Sequence, residues 1–172
     1  MSSSYVWSPY ELNWRGFLVD LDVSGVVSQL EGMRFKASLT TEREDPATVH
    51  EAWNGSQTVV TANEADFIRY TLEHQKRDSG QECNNAWGLL IMPNLAVKRE
   101  RALAAIKRGV PVDSGTIIPW SAAAYANLCV SPHPDGTVGL RRFRRCIHCE
   151  KAFPIHDEWY TRLPELGSLK TR

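Results

Sequence analysis

Acidic side chains recur at the ends of predicted strands and at the start of a predicted helix. Asp20 closes the apolar segment 16–20, Asp22 follows two positions later, and Asp66 lies just after the third predicted strand. Asp45 lies at the start of the second predicted helix. In a parallel sheet the carboxyl ends of the strands share one edge, where open α/β sheets bind their ligands. We therefore expect these four carboxylates to lie near one another.

The acids are typical of a divalent-cation site, because carboxylates gathered at one edge repel one another unless a cation or shared protons neutralise them. Oxygen-only ligands suit Mg²⁺ or Mn²⁺, which keep bound waters and contact substrate phosphates. Such a site supports phosphodiester hydrolysis. Each acid also has a structural alternative. Asp20 could begin a turn, while Asp45 could cap its helix and Asp66 could favour the positive end of its helix.

The segment CIHC places two residues between Cys146 and Cys149, a spacing that lets two thiolates bind one Zn²⁺. A tetrahedral site needs two further ligands, and Cys129 and His133, spaced C-x₃-H upstream, are the preferred pair. Free thiols are the alternative, and a redox use of CIHC is disfavoured because the motif does not open a helix early in a βαβ unit. The other local histidines are His148 and His156, and Cys83 lies in a polar loop as a free cysteine.

A basic segment surrounds Phe143 in a protein whose net charge is zero, with 20 Lys and Arg against 20 Asp and Glu. Its arginines could contact phosphates and its ring could stack on a base, which would make it an RNA-binding surface. A solvated basic strand is the alternative. The four arginines are Arg141, Arg142, Arg144 and Arg145.

Strand and helix patterns alternate over the first two thirds of the chain. This alternation predicts an α/β fold, a doubly wound parallel sheet of the order β-α-β-α-β-α-β-α, over residues 15–110. Residues 111–172 are expected to form an appendage, with a connector, a helix and the basic Cys/His segment, and zinc as its stabilising device. The predicted strands are 16–20, 33–39, 58–61 and 87–93, and the predicted helices begin near residues 24, 45, 64 and 95.

Three segments resemble the PIN-like nucleases, in particular the small proteins related to toxins of toxin-antitoxin systems. They are FLVDLD, EDPATVHEAWNGSQTVVTANEADF and WGLLIMPN, and the resemblance covers about residues 16–108. In that family an Asp ends the first strand, another precedes the helix before the third strand, and a Thr-x-Asn-x-x-Asp-Phe segment follows that strand. The matching residues here are Asp20, Asp45, Thr61, Asn63, Asp66 and Phe67.

The resemblance implies a ribonuclease fold with one or two Mg²⁺ or Mn²⁺ ions. Asp20 and Asp66 would be the principal ligands, Asp45 a further ligand, and Asn63 would support a ligand or contact substrate. Many members carry an additional Glu after the second strand that has no match here, and Asp22 would substitute for it. Relatives with appended zinc ribbons are similar to this arrangement, although the tail lacks their second Cys-x-x-Cys.

Two functions follow from these features. The leading one is a metal-dependent endoribonuclease, with a toxin of a toxin-antitoxin system as its biological setting and RNA, an antitoxin protein or a second copy of the chain as partners. The alternative is a catalytically degenerate PIN-like module that binds RNA or protein. The N-terminus has no signal-peptide pattern and nowhere do 18 apolar residues run together, so we expect a soluble cytoplasmic protein without a membrane partner.

Overall fold

A computed structural model describes residues 14–77, 87–113, 115–121, 127–144, 160 and 162–166. Its first eight regular elements alternate between strand and α-helix, which confirms the predicted order. The strands are β1 (Phe17–Val19), β2 (Ala37–Leu39), β3 (Thr58–Thr61), β4 (Gly88–Ile91), β5 (Val110–Asp113), β6 (Thr116–Ile118), β7 (Leu128–Pro132) and β8 (Val138–Arg142). The α-helices are α1 (Val26–Gly32), α2 (Asp45–Asn54), α3 (Glu64–Arg77) and α4 (Ala96–Ile106), and a 3-10 helix covers Leu21–Val23.

Six strands form one sheet in the order β2-β1-β3-β4-β7-β8. All neighbouring strands are parallel except β7 and β8, which are antiparallel, so the sheet is mixed rather than purely parallel. The chain passes from β1 to β2 on one side and then to β3 on the other side of β1. Ligands of open α/β sheets bind at such a reversal, outside the carboxyl ends of the strands.

Both faces of the sheet are covered by helices, as the alternation of strand side chains requires. Phe17 and Val19 point to the face packed by α1 and α4. Leu18 points to the opposite face, which α2 and α3 cover. The four residues of β3 are all buried, which fits a central strand enclosed on both sides. The buried strands fix the positions of the loops that follow them.

The sheet continues beyond residue 110, where the sequence predicts the nuclease domain to end. β7 pairs with β4, and β8 extends the sheet as its last strand. The segment expected to be a connector contains the antiparallel hairpin β5–β6. Gly109 precedes this hairpin with φ 122°, and a Cβ there would collide with the backbone oxygen of Ile118. The position therefore requires glycine.

The ring of Phe143, predicted to be available for stacking on a base, is a core residue. Its side chain is fully buried and packs against Trp87, with ring centroids 5.2 Å apart. Its backbone oxygen accepts a hydrogen bond from the hydroxyl of Tyr160. The prediction of a stacking platform at Phe143 is wrong, because the chain turns inward after β8 and buries the ring.

None of the helices in the described residues has the length and apolar character needed to cross a membrane.

Candidate functional site

Asp20 lies at the edge formed by the carboxyl ends of the strands, because it directly follows β1, which pairs with β2 on one side and β3 on the other. Its Oδ2 accepts a hydrogen bond of 2.9 Å from the Thr61 hydroxyl at the end of β3. The same Thr61 oxygen accepts a 3.0 Å hydrogen bond from the backbone N–H of Asn63. Asp20 is only 4% exposed. Thr61, at the end of β3, thus orients the acid that follows the neighbouring strand β1. The same hydroxyl also stabilises the turn after β3.

Asn63 connects two further acids from different helices. Its Nδ2 donates to Oδ2 of Asp45 and to Oδ2 of Asp66, each at 3.1 Å. Asp45 is the first residue of α2 and makes no side-chain cap there, because the cap position is Glu44. Its carboxylate is therefore available to the site. Asp66 lies in the first turn of α3 and also forms an ion pair of 3.3 Å with Arg69.

The four acids share one electrostatic environment. Burial raises the pKa of Asp20, the hydrogen bond from Thr61 opposes this, and the charges of Asp22 and Asp45 raise the pKa further. Burial likewise raises the pKa of Asp45, against the hydrogen bond from Asn63 and together with the charges of Asp22 and Asp66. Mutual repulsion among carboxylates in a cleft is a recognised feature of functional sites. Asp22 and Asp45 thus lie near enough to Asp20 to interact with its charge, and Asp22 and Asp66 do the same for Asp45.

The donor chemistry of this cluster fits a hard divalent cation, because every side-chain donor is an oxygen and the acids repel one another without a neutralising charge. Among the residues that the structure describes, no three His, Cys, Asp or Glu side chains stand close enough together to hold a metal ion. Mg²⁺ is usually bound by one or two carboxylates and its own waters, so the cluster does not need a third direct ligand.

Two of the expected zinc ligands are kept apart by β7. The thiol of Cys129 is fully buried in the strand, and its sulfur accepts a 3.5 Å contact from the guanidinium of Arg141. Burial raises the pKa of this thiol to about 12 despite the nearby Arg141. His133 follows the end of the strand, and at about 3.3 Å per residue the two Cα atoms are about 13 Å apart. The other named residues, Cys83, Cys146, His148, Cys149 and His156, lie outside the described residues.

Two arginines of the basic segment are engaged within the protein. Arg141 forms an ion pair with Glu64 at the start of α3. Arg142 pairs with Glu165 at 3.6 Å and lies over the ring of Tyr160. Arg144 is exposed, and its backbone oxygen accepts a hydrogen bond from Gln75. Arg145 lies outside the described residues.

The role of Thr61 is the feature of this site that the sequence did not assign. A threonine at the last position of a buried strand is usually explained by its tendency to form strands. Its hydroxyl instead joins β3 to the acid at the end of β1, a pairing that depends on the strand order.

Comparison with known proteins gives no match to a family model, to a curated protein or to a solved structure.

Proposed function

We propose that the protein is a Mg²⁺- or Mn²⁺-dependent endoribonuclease whose site is the cluster of Asp20, Asp22, Asp45 and Asp66. The observation that carries the proposal is the set of hydrogen bonds that orients three of these acids, Asp20, Asp45 and Asp66. Thr61 holds Asp20, and Asn63 holds Asp45 and Asp66. Carboxylates that repel one another destabilise a fold. Their position at the edge where open α/β sheets bind ligands therefore favours a role in binding.

Each residue of the cluster has a distinct role in this proposal. Asp20 is the most buried acid and is oriented on the sheet, so it is the principal ligand. Asp45 presents one oxygen to Asn63, which leaves its second oxygen for a cation or its waters. Asp66 presents Oδ2 to Asn63 and Oδ1 to Arg69, so a cation that uses Oδ1 would displace the exposed guanidinium of Arg69. When bound, the cation supplies activation of water and neutralisation of charge in the in-line displacement at phosphorus. Asp22 contributes negative charge that favours cation binding.

The resemblance of the three quoted segments to the PIN-like nucleases supports RNA as the substrate. It also supports a toxin of a toxin-antitoxin system as the biological setting, with an antitoxin protein or a second copy of the chain as partner. Because Arg141 and Arg142 are already paired, the exposed Arg144 is the arginine in the described part of the basic segment that is left to contact the RNA backbone electrostatically. The sequence adds Arg145, which lies outside the described residues, as a further candidate.

Cleavage of a panel of labelled single-stranded RNAs tests the proposal. Wild type should cleave with Mn²⁺ or Mg²⁺ and be inactive with EDTA. Asp20→Asn should lose at least a hundredfold in rate, because the acid that positions the cation is removed. Asp135→Asn is the matched control, since Asp135 lies in the exposed turn between β7 and β8. Cleavage that survives EDTA, or that Asp20→Asn and Asp135→Asn affect equally, would exclude this site.

A second candidate is the catalytically degenerate module that binds RNA or protein without cleaving. It is favoured by the finding that, within the described part of the chain, no three potential ligands stand together in ligating geometry. The two candidates differ in a simple way. The degenerate module would bind RNA equally well with Mn²⁺ and with EDTA, and Asp20→Asn would leave that binding unchanged.

A further inference from the structure

A cavity of about 470 Å³ lies beside the acid cluster, at the carboxyl ends of β3, β4 and β7. This volume is within the range of about 300 to 1,000 Å³ that is typical of small-molecule sites. The turn between β3 and α3 separates the cavity from the acids, since Ala62 and Glu64 line the cavity while Asn63 between them holds Asp45 and Asp66. A ligand in the cavity would therefore lie directly beside the proposed cleavage site.

The walls of the cavity combine apolar surface with a small number of polar groups. Pro93 and Leu140 are partly exposed and provide apolar surface, whereas Met92 is almost fully buried and contributes little. Glu64 and Arg141 form their ion pair in the lining, which places a hydrogen-bond acceptor beside a donor. Apolar surface with a few polar groups is the usual composition of a small-molecule site.

The charge of the cavity favours a base over a phosphate. The guanidinium of Arg141 is neutralised by Glu64, and the acid cluster lies on the other side of the turn. A phosphate in the cavity would be repelled by the carboxylate of Glu64. An unpaired nucleobase carries no charge, and RNA-binding proteins read such bases on their Watson–Crick edges between apolar side chains.

We propose that this cavity binds one unpaired base of the RNA, with guanine preferred. Guanine presents two adjacent N–H donors, at N1 and N2, that match the carboxylate of Glu64, and its O6 accepts from Arg141. Pro93 and Leu140, the partly exposed apolar residues of the lining, would contact the ring. The inference rests on the proposed ribonuclease function for its choice of RNA as substrate, and it predicts that cleavage occurs next to guanine.

Calorimetric titration of the full chain in EDTA tests the inference without requiring catalysis. The probes are GMP, AMP, CMP, UMP and ribose 5-phosphate. GMP should bind at least tenfold more tightly than the other nucleotides and than ribose 5-phosphate. Equal binding of ribose 5-phosphate would show a phosphate contact instead and would overturn the proposal. Absence of binding by every nucleotide at millimolar concentration would overturn it as well.

Two variants and a control locate the binding. Glu64→Gln should lose at least tenfold in GMP affinity, because one guanine N–H then faces an amide. Gly139→Val should block the cavity. A Cβ at Gly139 would lie 3.5 Å from Nε2 of His133 and 3.7 Å from the Cβ of Ser131, which are ordinary contacts, and valine suits a strand position such as this one in β8. Glu73→Gln, an exposed change on the same helix α3, is the control and should bind GMP as wild type does. GMP affinity unchanged in both cavity variants would refute the assignment.

The outcomes separate this inference from the proposed function. GMP binding without any RNA cleavage would uphold the cavity and refute the nuclease. Cleavage that depends on Asp20, but whose sequence preference is unchanged in Glu64→Gln, would uphold the nuclease and refute the base pocket.

Discussion

Replacement of Asn63 by Ala should destabilise the protein in a pH-dependent way. The side-chain amide donates to Asp45 and Asp66 at 3.1 Å each, so the two accepting oxygens are at most about 6 Å apart. Two unit charges at that distance repel by about 0.7 kcal/mol in bulk water and about 3 kcal/mol at an effective dielectric constant of about 20. The amide stabilises both charges while it holds them in place.

The expected loss follows from the exposure of each partner. A hydrogen bond to a charged group contributes about 1.5 to 3 kcal/mol. The Asp66 side chain is 45% exposed, so solvent screening leaves its bond a small contribution, while Asp45 is half-buried. We therefore expect Asn63→Ala to lower the free energy of unfolding by about 2 kcal/mol at neutral pH.

The pH dependence has a definite sign. The hydrogen bond from Asn63 lowers the pKa of Asp45 relative to the value that burial alone would give. It therefore stabilises the fold when the carboxylate is ionised, and this contribution is lost as the pH falls and the acids become protonated. The difference between variant and wild type should be present at neutral pH and small at about pH 3, below the ordinary pKa of Asp.

Urea denaturation in EDTA at the two pH values measures this effect. Gln57→Ala is a suitable control, because its amide makes only a 3.4 Å hydrogen bond to the uncharged hydroxyl of Ser38 and should cost less than about 0.5 kcal/mol. A loss for Asn63→Ala that is equal at both pH values would refute the electrostatic account of this residue. So would a loss no larger than that of the control.

Three further predictions concern Asp20, Cys129 and the distal cysteines. Asp20→Asn should stabilise the protein in EDTA by about 1 kcal/mol at neutral pH. The reason is that the pKa of Asp20 is raised, so wild type loses stability as the pH rises above the ordinary pKa of an Asp carboxyl. Thermal unfolding measures the change, and a destabilised variant would contradict this reasoning. Cys129, with its pKa raised to about 12, should react with a thiol reagent about 1,000-fold more slowly in the native than in the unfolded protein. Mass spectrometry of the labelled peptide measures both rates, and rapid labelling of the native protein would contradict the prediction. If Cys146 and Cys149 bind zinc, metal analysis of the purified protein should find about one zinc per chain, and freely titratable thiols without zinc would remove that site.

The local pattern of the sequence was sufficient for the alternating part of the fold. The run TVVT predicts a strand at 58–61, which is β3, and the helix expected from Glu64 to about Lys76 is α3, Glu64–Arg77. Asp45 followed by Pro46 predicts the start of α2, because proline suits the first turn of a helix. Strong apolar periodicity and a favourable first helical turn are local features of the sequence, so they can be recognised without knowledge of the strand order.

Features that depend on distant pairing were not predictable in the same way. The basic residues of β8 predict a solvated segment, yet the strand pairs with β7 and leads Phe143 into the core. Asn63 immediately precedes α3 in the sequence, yet one carboxylate to which its side-chain amide donates is that of Asp45, 18 positions earlier. Such contacts depend on strand order, which the sequence pattern of one segment does not specify.

The central claim is that the acid cluster binds a divalent cation, and Mn²⁺ titration followed by electron paramagnetic resonance tests it most directly. The signal of free Mn²⁺ reports how much of the ion remains unbound. We predict that wild type and Asp135→Asn bind at least one Mn²⁺ with the same affinity, and that the double variant Asp20→Asn/Asp45→Asn binds at least tenfold more weakly. Equal binding by all three proteins, or no binding by wild type, would contradict the account.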